Sequence, residues 1–237
     1  MRPIENYYET VTNFNFITKY LHNNKYRTLK KILNKEKKKL NIIDIGCGTC
    51  NVFKELNKEF VISYIGVDAD RMAIDISKER FKFEKNFQIF CDSMTNFEVR
   101  DFIDLRCKNI ITCFDTIEHM SFNEFREMID RLSNINVDHI CINLPIENGL
   151  SILIKNLGSF LMRYRRHKEY SLSQTFFATL SLFKFLPEHN KKHLGFNWKK
   201  IYNIIIKKYD VKIYTSPIDS VPLFISPSIF LECRKKK

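Results

Sequence analysis

"IIDIGCGTCNVFKEL", residues 42–56, carries two chemical readings at once. Cys47-Gly48-Thr49-Cys50 is a C-x-x-C pair, the pattern of a redox dithiol or of half a zinc site. Gly46-Cys47-Gly48 follows directly on an apolar run, where a glycine turn brings the backbone close to a nucleotide and opens a helix N-terminus.

The neighbouring residues separate the two. A structural zinc site takes four ligands, usually as two pairs, and there is neither a second C-x-x-C nor a nearby His pair. A thioredoxin-like dithiol also sits between strand and helix, so position alone leaves it open. Redox chemistry, however, gives no role to the acids around the turn. Asp44 lies two residues before Gly46, Asp68 ends the next apolar run, and Asp92 ends the third. The runs at 40–45, 61–68, 87–92, 108–115 and 139–145 read as strands. Amphipathic helices alternate with them, and the one at 122–133 is opened by Ser121 with Glu124 three residues on, a capping box. Strands that are apolar throughout are buried on both faces, as in a parallel sheet covered by helices. With two more strands at 211–218 and 228–235, this predicts an α/β fold: a Rossmann-like, doubly wound, mostly parallel seven-stranded sheet. In that architecture the carboxyl ends of the strands line the ligand crevice, and the glycine turn and the three acids all fall there. Cys47 and Cys50 are then packing residues of the loop and helix.

Working outward, an N-terminal helix carries Tyr26, Leu29, Ile32 and Leu33 at helical spacing, with Lys and Arg between them. The strand–helix rhythm breaks after Pro145. Two amphipathic helical pieces, about 149–163 and 171–186, are joined by the basic "RYRRHKEY", and a helix at 198–208 resumes the rhythm. The expected layout is a single domain over 1–237: an N-terminal helical segment (1–38), a cofactor-binding core (40–145), a helical cap insertion (146–196), and a C-terminal helix with the last strands (197–237).

Composition bounds the function. Apolar residues make up 44% and charged residues 28%, enough for a packed core with an ordinary surface. The seven cysteines are scattered and several lie inside apolar runs, which fits a reduced compartment rather than a disulfide framework. No stretch approaches the about 18 apolar residues of a membrane span, and the first residues carry no secretory apolar core, so a cytoplasmic location is expected. The net charge of +12 is compatible with nucleic acid, an anionic substrate or a membrane surface. Much of the excess sits in "KEKKK" (35–39) and "RKKK" (234–237), which favours solvated surface charge.

The nucleotide class follows from the turn. A dinucleotide fingerprint needs a third glycine where Asn51 stands. The pattern here has an acid before the glycines, which would repel a pyrophosphate and suits a cationic ligand with an ammonium group. At this point the chain resembles the class I S-adenosylmethionine-dependent methyltransferases, in their ubiquinone-biosynthesis-like, small-molecule branch. "IIDIGCGTC" resembles the family's first motif, with Asp44, Gly46, Cys47 and Gly48 at the cofactor. "YIGVDADRM" resembles the second; the likeness implies that Asp68 grips the ribose, with Ala69 and Met72 at the adenine side. "FCDSM" resembles the third, implying that Asp92 meets the adenine amino group, with Ser93 beside it at the cofactor. "ITCFDTIEHM" is similar to the motif after the fourth strand, which places Phe114 at the cofactor and includes the pair Glu118-His119. Cys50 departs from the family, which often has a further glycine there. The resemblance covers residues 40–145 well and implies S-adenosyl-L-methionine as cofactor and S-adenosyl-L-homocysteine as product; with no second ligand pair for zinc, no metal is expected.

The acceptor is less legible. His119 is the first candidate general base, against a bracing role for the Glu-His pair, and His193 in "HLGFNW" is the second. His139 starts a strand at the wrong end of the sheet and reads as structural; His167 lies in the basic insertion. The proline pair of base-amine methylases and the Pro-Cys of cytosine methylases are both missing after the fourth strand, so motif evidence speaks against nucleic acid. Arg163, Arg165 and Arg166 would suit forked contacts to phosphate or carboxylate, or be a solvated helix end. The expected reaction is O-methylation of a small molecule, with an anionic sugar, nucleotide-linked or phosphorylated metabolite of a surface-polysaccharide or secondary-metabolite pathway as the candidate. The alternatives are an RNA methyltransferase or basic nucleic-acid-binding protein, and a membrane-surface enzyme acting on a lipid or quinone precursor. Peripheral membrane contact and a monomer or homodimer stay open.

Overall fold

A computed structural model of the chain describes residues 16–36, 38–56, 58–93, 95–161, 170–189, 193–216 and 221–236. Helix α1 (Phe16–Leu33) leads into β1 (Leu40–Ile45), α2 (Asn51–Glu55), β2 (Val61–Asp68), α3 (Arg71–Arg80) and β3 (Phe87–Cys91). Then come β4 (Lys108–Phe114), α4 (Phe122–Ser133) and β5 (His139–Pro145). Helices α5 (Leu150–Leu161), α6 (Leu172–Thr179) and α7 (Trp198–Ile205) precede β6 (Tyr209–Ser216) and β7 (Ser228–Lys235).

The strands form one sheet in the order β3-β2-β1-β4-β5-β7-β6. The first five run parallel, and β7 is antiparallel to both β5 and β6. The central strands β1, β4 and β5 are almost wholly buried because helices cover both faces. Their side chains alternate between two cores, as the two-residue period of a strand requires. Ile43, Ile45, Ile65, Val67 and Ile111 face α4 and α7, joining Phe125, Met128, Ile129 and Leu132 of α4 and Ile201 and Ile205 of α7. Leu40, Ile42, Tyr64, Ile110 and Phe114 face α1, α2 and α3. Each fully buried α4 side chain contributes about 1.5–3 kcal/mol, so this face, rather than helix propensity, holds α4 in place. On the other face an aromatic cluster fixes α2 and α3 to the sheet: Phe53 lies 4.8 Å from Tyr64 and 5.0 Å from Phe81, and Tyr64 stacks on Phe87 at 5.5 Å, measured between ring centroids.

The element order follows the sequence expectation, with shifts at ends. Helix α2 stops after five residues because Leu56 turns to extended backbone. The second piece of the insertion breaks at Ser181, whose φ of 57° ends the helical run, and a 3-10 turn follows at Phe183–Phe185. Around it a small satellite core gathers Ile152, Tyr170, Ala178 and Leu186. Arg163, Arg165, Arg166 and His167 lie outside the described residues. Among the described residues no helix is long and apolar enough to cross a membrane.

Candidate active site

The order of strands reverses between β1 and β4, so the crevice of this sheet opens at their carboxyl ends. The turn after β1 is built for close approach. Gly46 has φ +70°, and a Cβ there would stand 2.3 Å from Thr116, in the loop after β4. Thr116 Oγ1 donates to the Gly46 carbonyl at 3.2 Å, so the two loops interlock with only a hydrogen atom's room between them. Gly66 leaves space of the same kind inside β2, where a Cβ would meet Cys47 Sγ at 3.0 Å.

The Cys47 thiol fills that space. Cys47 and Cys50 are buried and unlinked. A hydrogen bond with Cys50 and burial push the Cys47 thiol well above its ordinary value. A thiol held protonated this way is neither a nucleophile nor a ready metal ligand.

The acids around the turn have distinct settings. Asp68 Oδ2 accepts from the Gly48 amide at 2.8 Å and Oδ1 from the Asp70 amide at 2.8 Å. Those bonds fix the carboxylate at the crevice, and each oxygen keeps a further lone pair for a ligand hydroxyl. Asp92 is exposed at the end of β3 and accepts from the Ser93 amide at 2.6 Å. Ala69 and Met72 are exposed beside them, Met72 at 55%, an apolar rim on an open edge. Phe114 is buried below, between Tyr26 and Phe230. Asp44 differs from the other two. It is buried behind the turn, where it accepts from Tyr64 Oη and Thr112 Oγ1, both at 2.6 Å. Burial pushes its carboxyl up to about 6, against the pull of those two donors. Its influence on a ligand is through the field, not a direct contact.

Two features of the site were not read from the sequence. The first is Lys25. It lies on the buried face of α1, four residues before Leu29, and forms an ion pair with Asp115 after β4. Burial works to lower the Lys25 ammonium, but Asp115 and Tyr26 outweigh it and hold the group above its ordinary value. Asn143 Nδ2 also donates to Asp115 at 2.6 Å, and Asp115 takes a left-handed φ of 53° to meet both.

The second is an assembled cluster. Glu118 and His119 sit in the short 3-10 turn after β4, and His193 returns from the far end of the insertion. One ligand atom each from Glu118, His119 and His193 lies within 4.8 Å of the other two, and the imidazole centroids are 5.7 Å apart at 71°. His119 is exposed and Glu118 is 2% exposed. Burial, then the charge of Asp115, raises the Glu118 carboxyl to about 8. Behind His193, its Nδ1 is 3.8 Å from Glu147 Oε1. Glu147 pairs with Lys155 at 3.0 Å, and Tyr170 Oη donates to the His193 carbonyl at 3.1 Å. The expectation of no metal thus meets a set of potential ligands that only the fold brings together. His139 is at the opposite end of the sheet, with Nε2 2.9 Å from Glu36 Oε1.

Residues 42–136 match the profile of a family described as a methyltransferase domain. Over those residues the chain carries a methyltransferase domain. Its family uses S-adenosylmethionine as methyl donor. No curated protein sequence matches this methyltransferase. Solved structures do. The methyltransferase domain of the bacterial CtHen1 is 18% identical, with 90% of this chain and 99% of that one covered at a TM-score of 0.59. The magnesium protoporphyrin IX methyltransferase ChlM from Synechocystis PCC 6803, with bound S-adenosylhomocysteine, is 13% identical over 98% of each chain, TM-score 0.57. The small RNA methyltransferase HEN1 is 17% identical over 91% of this chain and 26% of that one, TM-score 0.61. At such identities the likeness is one of fold. The glycine turn that no Cβ can enter, the anchored Asp68 and the open apolar rim fit a nucleoside with a cationic tail.

Proposed function

We propose that this methyltransferase O-methylates a small molecule, with a hydroxyl of an anionic sugar or a nucleotide-linked or phosphorylated metabolite as acceptor. The observation that carries the reading is the Glu118–His119–His193 cluster beside the cofactor crevice, a polar set suited to receive a hydroxyl. S-adenosylmethionine supplies, when bound, an electrophilic methyl group on a sulfonium. Asp68 holds the ribose hydroxyls, Asp92 the adenine amino group with Ser93 beside it, and Ala69 and Met72 border the base. Gly46, Cys47 and Gly48 offer backbone to the methionine tail above Phe114, and Asp44 adds a favourable field. His119, exposed at the crevice, and His193 behind it receive the acceptor hydroxyl; alignment of that oxygen contributes several kcal/mol of the order of 7 or more. Arg163, Arg165 and Arg166 are assigned to the acceptor's anionic group. The Glu118-His119 pair favours the ubiquinone-biosynthesis-like branch, and the seven unlinked thiols favour the cytoplasm.

The test measures S-adenosylhomocysteine release with a panel of hydroxylated acceptors. His119→Ala with His193→Ala is expected to lower kcat by about a hundredfold or more while leaving S-adenosylhomocysteine binding intact. Full activity of the double variant, or a product methylated on nitrogen or carbon, refutes the reading. A second reading, RNA as acceptor, is favoured by the +12 charge and the fold likeness to HEN1. A membrane-bound acceptor is favoured by Leu153, Ile154, Leu157 and Phe160 of α5, all more than 40% exposed.

A further inference from the structure

We propose that Glu118, His119 and His193 bind a divalent first-row transition-metal ion. The donor set is two imidazoles and one carboxylate, all within 4.8 Å of one another. Bond lengths of about 2.1 Å put donors of one ion about 3–4 Å apart, so a modest side-chain rotation closes the set, and exposed His119 has room to turn. Glu118 supplies an independent sign. It is 2% exposed, yet its Oε2 is buried with no hydrogen-bond partner. An unpaired buried carboxylate oxygen is expensive, and a cation in the cluster would satisfy it.

Local charge points the same way. Among the described residues around Glu118 are the carboxylates Asp115 and Glu147 and the ammoniums Lys25 and Lys155. The lysines are already engaged by Asp115 and Glu147, and among the described residues no ammonium forms an ion pair with Glu118. Glu147 stands 3.8 Å from His193 Nδ1, in the place of the outer carboxylate that commonly orients a ligating imidazole. Two nitrogen ligands select a transition ion such as manganese, cobalt or zinc over magnesium or calcium, which take oxygen ligands. Three protein ligands leave coordination positions open. Resting on the hydroxyl-acceptor reading, the site gains a role. The acceptor oxygen completes the coordination sphere and loses its proton to solvent. The oxygen's electron pair then forms the O–CH3 bond as the C–S pair returns to sulfur.

The experiment treats the full chain with a chelator, removes the chelator, and titrates with Co(II), followed by its visible absorption, and with Mn(II), followed by electron paramagnetic resonance. Saturable binding of a single ion is expected, not displaced by excess Mg(II). Glu118→Gln and His119→Gln should each weaken it about tenfold or more, with circular dichroism unchanged. Because His119 is exposed, its variant keeps the test valid if the Glu118 variant fails to fold. Absence of saturable binding, unaltered affinity in His119→Gln, or an intense thiolate-to-cobalt band placing the ion on cysteine overturns the proposal. Metal binding without acceptor methylation leaves the ion site standing and refutes the hydroxyl-acceptor reading instead.

Discussion

At the scale of single residues, the site rests on charges with unequal freedom. Lys25 is buried, whereas the Asp115 side chain it pairs with is 43% exposed. Removing one partner of a buried pair is costly when the survivor stays buried. Asp115→Asn therefore strands Lys25 and should cost about 3 kcal/mol. Lys25→Met leaves Asp115 free to hydrate, with Asn143 still bonded to it, and should cost about 1 kcal/mol or less. Urea denaturation of the two variants checks the asymmetry, and equal costs would contradict it. Asp44 makes a pH-dependent contribution. Its carboxyl is raised from 3.8 to about 6 by burial. Between those values the native state holds a proton that the unfolded chain has already released, so this group's contribution falls as pH rises through that window. The full cost, about 3 kcal/mol for a shift of about two units, is present above it. The stability difference between Asp44→Asn and the parent should therefore move in the variant's favour from pH 4 to pH 7. A difference that stays flat across stepped pH would show that Asp44 ionises normally. The sequence marked Asp44 as a site acid by position, but nothing in a sequence says that Tyr64 and Thr112 enclose it.

At the scale of elements, the loops after β1 and β4 work as one unit. Gly46→Ala faces both a left-handed φ of +70° and a Cβ 2.3 Å from Thr116. Strain of this kind costs about 1–3 kcal/mol before the loops separate, so the variant should lose both stability and S-adenosylhomocysteine affinity by calorimetry. Ser121→Ala is the contrasting case. Ser121 Oγ accepts from the Glu124 amide at 3.2 Å, and Glu124 Oε2 accepts from the Ser121 amide at 2.7 Å. Losing that cap should lower the thermal midpoint by an amount equivalent to about 1 kcal/mol and leave cofactor affinity unchanged. Elements of this sort were legible because their signals are local: the Ser-x-x-Glu box, the buried strand runs and the glycine turn each lie within a few residues. The cluster was not, since His193 is more than seventy residues from Glu118 and His119 in the chain and meets them only in the fold. Lys25 had a usable signal, because it continues the stripe of Leu29, Ile32 and Leu33 one turn earlier. Its charge alone argued for the surface.

At the scale of the whole molecule, the charge of +12 bears on which acceptor is compatible. Among the described residues Lys30 pairs with Glu55, Lys58 with Glu84, Lys108 with Asp138 and Lys208 with Asp130; these pairs cancel, so the excess lies on other cations, as in "KEKKK" (35–39) and "RKKK" (234–237). Lysines engaged in this way are withdrawn from contact with phosphates. A protein that grips RNA through many phosphates loses affinity steeply with salt, each contact adding about 0.7 to the log–log slope on a single strand. The small-molecule reading therefore expects only non-specific RNA affinity, about 10 μM or weaker near physiological salt, with a slope worth one or two contacts. Fluorescence anisotropy with a labelled single-stranded RNA across a salt series measures both numbers. Submicromolar affinity that persists at elevated salt would require contacts beyond charge. It would shift the acceptor to RNA while leaving the cofactor crevice and its glycine turn as described.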